Sequence, residues 1–170
     1  MRLIACILAV FVAGGAVAAQ DWKEYTYPGD AFAVAFPADP TVETTTYRAA
    51  DGRAVAARVY SVTQDGGVFR MTIADLPDAA TEESVIDHAI KTLSEGGEIK
   101  VDIPHRISRV YGRQLSIAAA DGSRSTVAVF FHKRRLYQIE GTALATGSNG
   151  TADAIRFQQS LSFTDESTNR

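Results

Sequence analysis

Three Asp-Gly pairs, Asp51-Gly52, Asp65-Gly66 and Asp121-Gly122, each stand between runs of alternating apolar and polar residues. An Asp-Gly step supplies the left-handed backbone that a tight hairpin needs, so this chain is constrained to fold as neighbouring antiparallel strands. The first pair separates VETTTY (42–47) from AVAARVYSV (54–62). Beyond the second, VFRMTIA (68–74) sets Phe69, Met71 and Ile73 against Arg70 and Thr72. After EIKVDI (98–103), the third pair turns SRVYGRQLSIAAA (108–120) into STVAVFFHKRRLYQIEGTAL (125–144). In that last run His132-Lys133-Arg134-Arg135 interrupts two apolar stretches and reads as a hairpin tip. Val127, Val129 and Phe131 face one way, Ala128 and Phe130 the other, which predicts a central strand covered on both sides.

The period changes twice. TEESVIDHAIKTLSEGG (81–97) places Val85, Ile86, Ala89, Ile90 and Leu93 on one helical face. Thr81 is the expected N-cap, Glu82 and Glu83 suit the positive end of the dipole, and Gly96-Gly97 supplies the stop. A second helix is expected from about Ser148-Asn149-Gly150, with Ala154, Phe157 and Leu161 on its apolar face, followed by a polar, frayed tail, TDESTNR. Near the start, Tyr25 and Tyr27 share one side of an extended segment, and Pro28-Gly29-Asp30 is a turn. FAVAFPADP then presents Phe32, Val34 and Phe36 to the core until Pro37, which cannot donate to a ladder, ends the strand.

The first twenty residues are of another kind. Arg2 precedes an apolar run from Leu3 to Ala13, and Ala16-Val17-Ala18 closes it with small residues. This pattern predicts a cleavable secretory signal over 1–19, cut after Ala18 or Ala19, and hence a periplasmic or secreted protein. Leu3-Ile4-Ala5-Cys6 is a poor lipidation site, because most of the apolar region follows the cysteine. Cys6 is the sole cysteine, so the expected mature chain, 20–170, has no disulfide, thiolate nucleophile or cysteine-bound metal. About 150 residues suit one domain with a proper core. A formal net charge of −3 argues against a nucleic-acid surface. No later apolar run approaches the length of a bilayer span.

Two segments taken together carry a likeness to known proteins: FAVAFPADP after its aromatics and turn, and RRLYQIEGTAL followed by ADAIRFQQSLSF. The combination, with a helix between them after MTIADLP, resembles the PsbP-like superfamily, which also holds the Mog family of Ran-binding proteins. It is most similar to small exported bacterial members of unknown function. The resemblance spans Trp22 to Phe163. It implies an α+β fold in which an antiparallel sheet, entered early by the 32–36 strand, is flanked by helices on both faces as an α/β/α sandwich. On function it implies little: PsbP is a structural cofactor of a membrane complex and the Mog proteins act on a small GTPase. The matched positions, Phe32, Val34, Phe36, Tyr137, Phe157 and Leu161, are packing residues. A shared fold does not transmit activity.

Chemistry-bearing patterns are sparse. His88, His105 and His132 show no ligand spacing such as H-x-H or H-E-x-x-H, and His88 lies off the apolar stripe, where solvent is expected. No G-x-S-x-G elbow occurs, although Ser94, Ser116 or Ser160 offers a hydroxyl. Ser160 is expected to bond a backbone carbonyl. Gly96-Gly97 ends a helix and so presents no anion site; SNGTADA opens one, where capping is the expected role. No catalytic residue, metal ligand or cofactor site is therefore assigned. The interaction candidate is the basic cluster His132, Lys133, Arg134 and Arg135, with Arg106, Arg109 and Arg113 as neighbours, facing an acidic protein patch or anionic headgroups. A charged tip that keeps a sheet end soluble is the plainer and stronger account. The expectation is an exported, monomeric, non-enzymatic binding or assembly factor with a protein partner in the cell envelope. The alternatives are a small-ligand carrier using a gap between sheet and helix, and a hydrolase using His88 or His105.

Overall fold

The computed structural model describes residues 22–64, 66–77, 81–147 and 150–165. The signal segment with Cys6, Asp65 of the second turn, the Ser148-Asn149 start of the second helix and the tail after Asp165 lie outside the described residues.

The elements are β1 (Lys23–Tyr27), a 3-10 turn (Pro28–Asp30), β2 (Phe32–Phe36), β3 (Thr41–Arg48), β4 (Ala54–Gln64), β5 (Gly67–Asp75), α1 (Glu82–Ser94), β6 (Glu98–Ile107), β7 (Val110–Ala118), β8 (Arg124–His132), β9 (Arg135–Ala143), α2 (Gly150–Gln159) and β10 (Ser162–Phe163). Every strand pair is antiparallel. The fold is α+β, and the expected hairpins and both helices form, although α2 ends at Gln159, so Leu161, expected on its apolar face, lies beyond it. Gly52 and Gly122 hold left-handed backbone, φ 85° at each, as their turns require. Thr81 and Ser84 close α1 reciprocally, each side chain bonding the other's backbone N–H, at 3.1 and 3.3 Å. EIKVDI runs on through Pro104 to Ile107, which an edge strand tolerates.

One expectation fails. The strands form two sheets, a seven-stranded one in the order β3-β4-β5-β9-β8-β7-β6 and a three-stranded one, β1-β2-β10. The 32–36 strand is the centre of the small sheet and not a member of the large one. Its reason is apolar on both sides: Phe32, Val34 and Phe36 are fully buried and Ala33 nearly so. Phe32, Val34 and Phe36 pack onto Tyr60, Phe69, Met71, Ile73, Phe130, Tyr137 and Ile139 of the large sheet. Burying those three side chains contributes roughly 1.5–3 kcal/mol each. Two sheets in face contact satisfy that demand better than ladder neighbours can, and Pro37 and Pro40 let the chain cross from one to the other.

Alternation along β8 splits the core. Ala128 and Phe130 join the cluster that holds β2 and Phe157 of α2. Val127 and Val129 join a second cluster with Val85, Ile86 and Ala89 of α1. α2 sits so close on β9 that a Cβ at Gly141 would lie 2.4 Å from the Ala154 carbonyl oxygen.

Candidate functional site

The β8–β9 turn has only Lys133 and Arg134 between its strands, with φ 47° and 61°, the backbone that hairpins usually assign to Asn-Gly. The four basic residues do not act as one patch. Lys133 Nζ lies 2.7 Å and His132 Nε2 3.2 Å from Asp165 Oδ2, and the His132 ring packs on Phe163. Burial pushes the Asp165 carboxyl up, but the Lys133 hydrogen bond and the charges of His132 and Lys133 outweigh it and hold the group below the usual range. Arg134 donates from Nη1 to the Pro77 carbonyl. Arg135 turns inward, its Nε 2.9 Å from Asp75 Oδ1 and its Nη1 donating to the Gly29 carbonyl at 2.9 Å.

A second tip stands beside the first. β7 begins at Val110 and runs against β8 with Gly112 opposite Phe130, so the Ser108-Arg109 turn reaches the same end of the sheet as Lys133-Arg134. Arg106 lies over the ring of Tyr111, 5.9 Å from its centroid, and Tyr111 is 62% exposed. Arg113 sits further in and is held by Asp102 at 2.7 Å. Of the expected basic neighbours, Arg106 and Arg109 therefore join the tip, and Arg113 does not. At this end of the sheet the turn carrying Arg109, with Arg106 and the exposed Tyr111 beside it, neighbours the Lys133-Arg134 turn. The side chains of that second turn bond Asp165 and the Pro77 carbonyl, on a chain whose net charge is −3. Arginine and tyrosine are among the side chains that dominate contact energy when a partner buries them. Tyr111 escaped the sequence reading because an isolated aromatic in an alternating strand looks like core.

Arg135 belongs to a different site. Asp30, Arg58, Asp75 and Arg135 form a closed circuit of alternating charge. Arg58 contacts Asp30 at 2.7 Å and Asp75 at 3.0 Å, and Arg135 returns to Asp30 at 3.7 Å. Asp30 is 6% exposed; it also accepts from the Tyr60 hydroxyl at 2.5 Å, while its backbone carbonyl accepts from Tyr137 at 2.9 Å. Burial raises the Asp30 pKa, but the bonds from Arg58 and Tyr60 and the charges of Arg58 and Arg135 bring it below the ordinary value. Burial, then the Asp30 carboxylate, push the Tyr60 hydroxyl well up, so it stays protonated and donates. The circuit pins the turn between β1 and β2 to β4, β5 and β9. It opens on a shallow hollow also lined by Thr26, Tyr27 and Pro28. Its parts come from distant segments, and the signal that marks it in the sequence is Arg58, a charge on the face that Tyr60 and Val62 turn to the core.

The third feature is a crevice of about 130 Å³ between α1 and the β3–β4 hairpin, walled by Ala49, Val55, Leu76 and Val85 with Tyr47 and His88. His88 is half-buried here, contrary to expectation: its Nε2 donates to the Arg48 carbonyl at 2.9 Å and its ring meets Tyr47 edge-on at 6.1 Å. The strand edge, one turn away from the apolar stripe of α1, supplies an acceptor that periodicity does not reveal. Burial pushes the Tyr47 hydroxyl up to about 12, and that buried oxygen has no hydrogen-bond partner among the described residues. Ser84 lines the same crevice, but its hydroxyl donates to the Thr81 carbonyl at 2.9 Å. His105 packs against Phe130 at 5.7 Å, and burial lowers its pKa. Ser160 donates to the Phe157 carbonyl at 2.8 Å, as expected, and also accepts from Ala35 N–H at 3.0 Å, tying α2 to β2. Among the described residues no group of three or more His, Cys, Asp or Glu is arranged to hold a metal ion, and no helix is long and apolar enough to cross a membrane.

Neither a family model nor a curated protein sequence matches the chain. Among solved structures it is similar to cyanobacterial PsbP (CyanoP) from Synechocystis sp. PCC 6803, with a TM-score of 0.58 and 13% identity over 88% of this chain and 96% of that one. It also overlaps PA94 from Pseudomonas aeruginosa, a protein of unknown function, with a TM-score of 0.37 and 10% identity over 72% of this chain and 83% of that one. The first likeness shows a PsbP-like fold.

Proposed function

We propose that this chain is an exported, non-enzymatic binding or assembly factor of the cell envelope, and that it grips an acidic surface of a partner protein with its paired hairpin tips. The observation that carries this reading is the juxtaposition of Arg106, Arg109 and the exposed Tyr111 with Lys133 and Arg134 at one end of the sheet. Concentrating cations there on an acidic protein creates a local potential that speeds encounter with a negative surface, while tyrosine supplies area at low entropic cost. The same reading takes the architecture as an α/β/α sandwich, supported by the way successive β8 side chains join the α1 and α2 clusters in turn.

The test is crosslinking in intact envelopes with the wild type, a triple Arg106→Glu, Arg109→Glu, Tyr111→Ala variant, and an Ile155→Thr control on the exposed side of α2. A crosslinked species kept by the control and lost by the triple variant supports the proposal. Identical species from all three would overturn it.

A small-ligand carrier is the second reading, favoured by the apolar crevice under α1, whose volume is near that of a site for one aromatic ring. Phenol titrated against methyl-labelled protein should shift Val55, Leu76 and Val85 together; unmoved methyl resonances remove the carrier.

A further inference from the structure

The two edges of the large sheet are built differently. β6 carries the usual protections: Pro104, a register shift between Ile99 and Val101, and Lys100. β3 carries none of these. It pairs with β4 without interruption from Thr41 to Arg48, every residue but Tyr47 is exposed, and its outer side has no strand among the described residues.

The direction of its backbone groups follows from the hairpin. Ala49 N–H donates to the Arg53 carbonyl at 2.8 Å, so the alternate residues Tyr47, Thr45, Glu43 and Thr41 also bond toward β4. Val42, Thr44, Thr46 and Arg48 then present N–H and C=O outward. The Arg48 carbonyl confirms the parity, because it accepts from His88 and not from β4.

We propose that this edge binds β3 of a second copy of the chain, antiparallel, about a two-fold axis at Thr44. A two-fold normal to the sheet keeps each face continuous across the junction, so outward-bonding residues must oppose one another. Centring on Thr44 sets Thr44 against Thr44 and Val42 against Thr46 of the second copy, with all their backbone groups free to pair. It also places Arg48 opposite Pro40. Proline has no N–H to offer, and the Arg48 carbonyl, taken by His88, needs none; the Arg48 N–H still reaches the Pro40 carbonyl. Centring on Thr45 instead aims the Val42 N–H at that occupied carbonyl. In the Thr44 register Glu43 lies opposite Thr45, so no like charges meet, and threonines opposed across strands are favourable neighbours. The strand is thus complementary to itself, down to its one missing donor and its one occupied acceptor.

Full-length chain carrying Cys6→Ser is the background for the test, since Cys6 is the sole cysteine. Thr44→Cys should give a disulfide-linked dimer in mild oxidant, because a hydrogen-bonded pair on the axis has Cα atoms about 5.5 Å apart, within disulfide reach. Glu43→Cys and Thr45→Cys, displaced by two positions across the axis, should stay unbridged. Sedimentation of the Cys6→Ser chain should give twice the chain mass at about 100 μM, a concentration chosen for a single-edge contact well below standard interface size. Thr44→Lys, which opposes two ammonium groups at an exposed position, should return it to monomer with an unchanged melting temperature. A chain that sediments as monomer and leaves Thr44→Cys unbridged overturns the proposal. Bridging through Thr45→Cys but not Thr44→Cys overturns the pairing.

Discussion

Arg58 holds Asp30 through both carboxylate oxygens, with Nε 3.0 Å from Oδ1 and 2.9 Å from Oδ2 and Nη2 2.7 Å from Oδ1. The two residues belong to different sheets' worth of chain, one in the turn that precedes β2 and the other in β4. Their bond is the polar counterpart of the aromatic packing between those sheets.

Removing the Asp30 charge leaves the part-buried guanidinium groups of Arg58 and Arg135 sharing the one carboxylate of Asp75. Asp30→Asn should therefore destabilise the fold by about 2–3 kcal/mol, below the figure for a fully enclosed pair because the Arg58 side chain keeps some contact with water. Urea denaturation measures it; an unchanged midpoint would mean that the circuit is ornamental.

The circuit should also make stability depend on acid. The folded Asp30 carboxyl titrates below its ordinary value, so its contribution is complete above the ordinary carboxylate pKa and is lost as pH falls through the lower, folded one. Asp165 is displaced the same way and adds to the trend. Urea midpoints from pH 6 to about 2.5, a range that brackets carboxylate titration, should fall more steeply for the wild type than for Asp30→Asn. Parallel curves would remove Asp30 from the account.

Gly141→Ala tests how α2 is seated. The new methyl would lie 2.4 Å from the Ala154 carbonyl oxygen and 2.7 Å from its Cα, both backbone atoms, so helix and strand must part. A loss of roughly 1–3 kcal/mol is expected from such overpacking, read as a lowered melting temperature.

Gln158 gives the opposite sign. It is fully buried on α2, and neither its amide oxygen nor its amide nitrogen has a hydrogen-bond partner among the described residues. Gln158→Met keeps the volume and removes both orphaned atoms, so it should stabilise the protein by about 1–2 kcal/mol. A destabilised variant would show that the amide is satisfied in solution.

The hairpins and helices were legible because their signals are local: Asp-Gly turns, period-two alternation in β5, and the Thr81 cap with Val85, Ile86 and Ala89 behind it. Ser160 was legible for the same reason. The second sheet was not, since nothing in FAVAF says whether Phe32 faces helices or another sheet, and β10, its other partner, is two residues long. The tip was legible only as a tip. That Arg135 serves Asp75 and Asp30, and Lys133 serves Asp165, depends on residues brought from far along the chain, as does the bond between His88 and Arg48.

The pairing of Phe163 with Phe32 joins segments from opposite ends of the described chain. A polypeptide leaving a ribosome amino-end first therefore holds β2 only partly covered, by β1 and the β4–β5 residues, until Phe157 and Phe163 emerge, and that interval is when holding by chaperones matters most.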